Sequence, residues 1–294
     1  MRAMTKAMFG TFVVILLTAS SLCAIASDGR IPIGTMPYTI NSPGSYYLTG
    51  DLVASGGSVI TISSAGVALD LNGHYVWQGS SSAYCISSSG YSDIRVFNGL
   101  LVGGSAGIYF YNVPVGVVTI DHITARGGQA GIDLQGYSAG GSSLYPTAQI
   151  TNNSVTLAAG ATADCIHVQY VQGGRISLNT IVGGTSAISG GIGISSYAGN
   201  NLIISENAIS NTAFGINLTG TGNRVFRNTC VGNNTGIEAS SATNLDVSEN
   251  DASNNVYGIV FAPGTGCVYR NNLAQGNTTG NYTPGSATNG GGNF

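Results

Sequence analysis

The chain has 294 residues, of which only 7% are charged and 45 are Gly, and its formal net charge is −3. No basic stripe is available to hold nucleic acid or an anionic membrane surface. So few charges and so many glycines suit tightly stacked coils with uncharged Ser, Thr and Asn faces.

At the amino terminus, Arg2 and Lys6 precede an apolar stretch from about Phe9 to Leu17, followed by Ala24-Ile25-Ala26. This predicts a secretory signal over residues 1–26, too short and wrongly flanked for a spanning helix, with the mature chain beginning near Ser27. Loss of two basic residues leaves 7 against 12 acidic ones, a net charge of about −5. No later segment is long and apolar enough to cross a bilayer. The expected location is therefore secreted or cell-surface, the periplasm included. Residues 31–52 hold Pro32, Pro37 and Pro43 around Tyr38-Thr39-Ile40 and Tyr46-Tyr47-Leu48. They predict a strand that covers the first turn, because an open edge would template aggregation.

From Val59-Ile60-Thr61-Ile62 onward the chain is regular. Seven copies of a small residue, Ile, a variable residue and usually an apolar one begin at Gly107, Gly131, Cys165, Gly191, Gly215, Gly236 and Gly258. The steps between them are 24, 34, 26, 24, 21 and 22 residues, the length of one turn of a parallel β-helix. Between the copies runs an apolar-x-x-Asn pattern at Asn153, Asn179, Asn207, Asn228, Asn250 and Asn271, with Asp121 in the same place one turn earlier. Amides stacked at the strand spacing of about 4.8 Å can hydrogen-bond along the axis, so this column reads as an internal ladder. The expected fold is all-β: a single right-handed parallel β-helix, a solenoid of nine to ten turns over residues 27–275, about 45 Å long. Residues 276–294 form a carboxy-terminal cap or a disordered tail. Cys85, Cys165, Cys230 and Cys267 fall on separate turns without metal or redox spacing and are expected to pack in the core, so no cofactor or metal is implied.

The run Ile40-Asn41-Ser42-Pro43-Gly44-Ser45-Tyr46-Tyr47-Leu48, the segment Val67-Ala68-Leu69-Asp70-Leu71-Asn72-Gly73-His74, the Gly-Ile repeats and Gly280-Asn281-Tyr282 together resemble one family. It is that of secreted right-handed parallel β-helix repeat proteins, NosD-like members among them. The resemblance implies carbohydrate binding or processing, with an extracellular polysaccharide or cell-surface glycan as partner. The metal-maturation role of some members would need a ligand cluster that the sequence lacks.

Two β-helix enzyme families bear comparison. Val118-Thr119-Ile120-Asp121-His122 is similar to a pectate lyase motif, but Ala130 stands where that family carries Asp, and no matching Arg segment follows. Gln129-Ala130-Gly131, Ala163-Asp164-Cys165 and Gly191-Ile192-Gly193 resemble three polygalacturonase motifs, of whose acid–base groups only Asp164 is kept. An inverting glycosidase needs two carboxyls, so that set is incomplete.

One constellation remains. The variable residues of successive copies place Tyr109, Asp133 and His167 in an outward column, with Glu238 three turns beyond His167 and Tyr111, Gln135 and Gln169 two residues further along the strands. At about 5 Å between turns, Asp133 can orient the His167 imidazole. The long connection from Gln135 to Gln149 carries Tyr137 and Tyr145, and Tyr170 and Tyr197 lie in the same third of the chain. Asp133, His167 and Asp164 are the catalytic candidates; Tyr109, Tyr111, Gln135, Gln169 and Tyr137 are the glycan-binding ones. The sequence favours non-catalytic polysaccharide binding or a structural role at a surface. The alternative is a polysaccharide lyase or glycoside hydrolase acting at the Asp133/His167 face. Asp70, His74 and Asp121 fit turn and ladder positions, and Arg224, Arg227 and Arg270 with Glu206, Asp246 and Glu249 read as surface pairs between turns.

Overall fold

The computed structural model describes residues 29–137, 145–184 and 191–294. The expected signal segment 1–26 and most of the connection after Tyr137 lie outside the described residues. Strands pair in parallel, each with the strand one turn later. A regular turn contributes three short strands, as in Gly174–Ser177, Thr180–Val182 and Ile192–Tyr197. Two faces are joined into one 18-stranded sheet because the long strands Ile94–Gly103 and Val117–Arg126 run round the corner between them. The third face is an 11-stranded sheet, one strand per rung, which makes a solenoid of about ten turns. At the first rung Ile31–Ile33 pairs with Gly44–Leu48, with Pro32 on the outer edge where its missing N–H costs nothing. At the other end Gly280–Thr283 pairs with Tyr257–Phe261, so residues 280–283 continue the second sheet.

The repeat is explained by what its first two residues touch. Ile86, Ile108, Ile132, Ile166, Ile194, Ile216, Ile237 and Ile259 are register partners along the axis and fill the core. Before them the residue must be small. A Cβ at Gly131 would run into Val155 and the Cys165 carbonyl, and one at Gly193 into Ile209 and the Gly215 carbonyl. Gly191-Ile192 is thus not the repeat start in its turn; Gly193-Ile194 is, and Ile192 pairs with Phe214. A slip of two residues preserves the in–out alternation, so the pattern alone could not separate the two Gly-Ile pairs.

The ladder is continuous, with one correction at each end. Amide Nδ2 donates to the next Oδ1 from Asn153 to Asn179 (3.0 Å), Asn207 (2.9 Å), Asn228 (2.8 Å), Asn250 (3.0 Å), Asn272 (3.0 Å) and Asn293 (3.1 Å). The ladder residue is Asn272 and not Asn271, which holds the left-handed bend before it at φ 53°. Asp121 is not in the column either: it pairs with Thr151, and Ile123 occupies the ladder place one turn earlier, where its N–H meets Asn153. Asn tolerates the left-handed bend, and its side chain suits a ladder as well, so adjacent asparagines cannot be told apart by type. Leu178, Glu206, Arg227 and Glu249 occupy the same bend on their own turns. A second ladder, which the sequence reading missed, runs through Thr212, Asn233, Asn255 and Asn277.

The four cysteines are free and buried, and burial pushes the Cys85 and Cys165 thiols up to about 12.

Candidate functional site

The strand Ala130–Gly136 pairs with Ile166–Gln169, which sets Asp133 opposite His167 and Gln135 opposite Gln169. Strand alternation sends Ile132, Leu134, Ile166 and Val168 wholly into the core and leaves the four polar side chains half-buried on the outer face. Tyr109 is the register partner of Asp133 one rung earlier, and Ser195 is that of His167 one rung later.

Asp164 supplies the direct contact to the imidazole. Its Oδ2 lies 3.1 Å from His167 Nδ1, while its Oδ1 accepts the Ile192 N–H at 3.3 Å. A carboxylate only accepts, so Nδ1 carries the hydrogen in that contact and Nε2 is the nitrogen through which the ring exchanges a proton. Ser195 Oγ stands 3.3 Å from the same Nδ1. Asp133, expected to orient the ring, instead receives the Gln135 Nε2 amide on both oxygens at 3.1 Å. It acts on His167 through its charge. The reason is local: Gln135 lies two residues along the same strand on the same face, and its amide reaches the carboxylate first.

Burial pushes the Asp133 carboxyl up, against the opposing effects of the His167 charge and the Gln135 hydrogen bond, and the Asp164 charge adds to the rise. Burial alone would lower His167. The Asp164 hydrogen bond, the charges of Asp133 and Asp164 and a Gln169 hydrogen bond outweigh it, and the imidazole ends above its ordinary 6.5. Burial also raises Tyr109, with Tyr84, Asp133 and Tyr111 adding to the shift, so its hydroxyl stays a donor. Such a group of two carboxyls and an imidazole can hold, give and take a proton.

Aromatic rings border this group. Tyr84 and Tyr109 stack with centroids 4.4 Å apart, and Tyr109 and Tyr111 follow at 6.1 Å, nearly parallel. Tyr145 and Tyr170 stack at 5.7 Å, and Tyr197 meets Tyr170 edge-on. Tyr111, Tyr137 and Tyr197 are exposed. Tyr111 is not the register partner of Gln135, because the pairing slips between Phe110 and Val113. Tyr137 follows the strand, its N–H bound to the Val113 carbonyl.

Two residues of this face escaped the sequence reading. Tyr84 precedes Cys85-Ile86, an earlier copy of the repeat headed by Cys like the one at Cys165, and that likeness could have found it. Ser195 was hidden by the choice of Gly191 as repeat start. The weaker candidates have structural roles: Asp70 accepts from Arg30, Asn72 and Asn98, and His74 contacts Asp51. His122 sits at a left-handed bend against Asp121. Among the described residues no group of three or more His, Cys, Asp or Glu is placed to hold a metal ion.

A family model described as the right handed beta helix region matches residues 138–293. Among solved structures the chain is similar to the periplasmic alginate epimerase AlgG, at 13% identity and a TM-score of 0.53, covering 90% of this chain and 76% of that one. A single mutant of the same epimerase gives 12% identity and a TM-score of 0.53, over 91% and 83% of the two chains. Its double mutant gives 13% and 0.51, over 90% and 75%. At these identities the likeness establishes the fold. A search of curated proteins found no match.

Proposed function

The chain belongs to the right-handed β-helix family, and from the geometry of its second sheet we propose that it is an exported protein that binds a polysaccharide there. One observation carries the reading: the stacked row Tyr84–Tyr109–Tyr111 leads directly into the half-buried group of Asp133, His167 and Asp164. Tyrosine faces take the apolar faces of sugar rings, while Asp, Gln and His take their hydroxyls. The expected signal segment and the periplasmic location given for the AlgG structure both support an extracytoplasmic setting.

A second reading is supported by the contact between Asp164 and His167. A carboxylate that holds an imidazole, beside a second carboxyl raised by burial, is a pattern in which acid and base roles separate. On it the protein modifies the glycan it binds, as a lyase or hydrolase with His167 moving the proton and Asp133 or Asp164 as partner. The AlgG structure is named for an epimerase, which is also a polysaccharide-modifying activity.

The test is an array of plant, algal and bacterial polysaccharides probed with the purified protein, with bound protein and released oligosaccharide read on each spot. Binding that Tyr109→Ala and His167→Ala weaken supports the first reading. Product that His167→Ala abolishes, with the fold intact, supports the second. Absence of both would leave a structural coil.

A further inference from the structure

Charge is divided between the sheets. The sequence contains no Lys after Lys6, and all seven arginines beyond that point lie on or beside the 18-stranded sheet and its turns. Arg126 and Arg175, the nearest in sequence to the site, belong to Val117–Arg126 and Gly174–Ser177 of that sheet. Among the described residues the 11-stranded sheet carries no Lys or Arg. The segments 138–144 and 185–190 contain no charged residue in sequence. On the outer face of this sheet stand Asp133 and, three rungs beyond His167, Glu238, with Asp164 beside them.

A face built this way has nothing with which to neutralise a carboxylated or sulfated polymer except one imidazole already held between two carboxylates. It has much to offer a cation. Each Asp133 oxygen accepts from a single amide hydrogen-bond donor, Gln135 Nε2, and a carboxylate pair has about four acceptor positions. The neighbouring tyrosine faces are electron-rich and attract an ammonium as well as a sugar ring. Building on the glycan-binding reading above, we propose that the 11-stranded sheet selects an amine-bearing polysaccharide, a polymer of de-acetylated amino sugars, and rejects polyuronates. The ammonium sits at the Asp133 carboxylate, with the Asp164 charge beside it, and the ring packs against Tyr109 and Tyr111.

The experiment compares oligoglucosamine, oligoglucose and oligogalacturonate of equal length by calorimetric titration at about pH 6, where the amine is largely protonated. Oligoglucosamine is expected to bind at least about tenfold more tightly than oligogalacturonate, with oligoglucose between them. The Asp133→Asn/Asp164→Asn double variant, whose amides still accept hydrogen bonds, should shrink that gap below about threefold while its thermal unfolding stays near that of the wild type. Oligogalacturonate binding as tightly as the amine, or a gap unchanged in the variant, overturns the selectivity and leaves the glycan-binding reading standing. Failure of all three sugars to bind overturns both.

Discussion

The turns after residue 200 and the turns that carry Asp133 and His167 are built on one plan and filled differently. In the later turns the repeat steps are 21 and 22 residues, two asparagine ladders run side by side, and the ladder amides meet partners on the next rung. Between Gly131 and Cys165 the step is 34 residues and carries Asp133 and Asp164, with His167 on the strand that follows it and the row Tyr84, Tyr109 and Tyr111 on the rungs before it. Regular rungs spend their polar groups on the coil itself. The longer rung leaves polar groups turned outward, where a ligand can use them.

Breaking the regular part should have the largest effect. Asn228 donates to Asn250 Oδ1 at 3.0 Å and to the Ile204 carbonyl at 2.9 Å, and accepts from the N–H and amide of Asn207. Asn228→Ala would leave several of these groups buried without partners, and we expect a loss of about 3 kcal/mol or more in urea denaturation. The outer face should respond in the opposite way. His167→Ala removes a ring on the outer face of the strand, so it should cost less stability than Asn228→Ala while glycan affinity falls at least about tenfold.

A smaller effect distinguishes the two regions by pH. His167 is raised above 6.5 in the folded state, so its stabilising contribution is full below that value and is lost as pH rises through the folded value. Asp133 is raised above 3.8, so the unfolded chain ionises first, and folding loses stability as pH climbs from there to the folded value. Both slopes have the same sign. The imidazole's contribution should lower the melting temperature as pH rises above 6.5, and the decline just above that pH should be smaller in His167→Gln. The smallest effect belongs to the exposed pair of Arg227 and Glu249, 2.8 Å apart, where Arg227→Ala should leave the melting temperature unmoved within error.

Much of this molecule was legible because a β-helix repeats its needs. A small residue before each core Ile is dictated by the carbonyl of the next rung, and the outward place after Ile follows from strand alternation, so the register of Tyr109, Asp133 and His167 could be read directly. What escaped were the choices a repeat leaves degenerate. Gly191-Ile192 and Gly193-Ile194 satisfy the same alternation, and Asn271 and Asn272 differ only in backbone conformation. The imidazole's partner was also beyond the pattern. Asp133 and Asp164 lie close enough to compete for it, and the outcome rests on Gln135 engaging the first and leaving the second to the ring.

The most direct test sets Tyr109→Ala against Tyr257→Ala, two tyrosine losses on the same sheet, one beside Asp133 and one among the regular rungs. Titrated with a bound oligosaccharide, the first should lose at least about tenfold in affinity and the second nothing measurable. Equal losses, or none in either, would contradict the assignment of ligand binding to the face around Asp133 and His167.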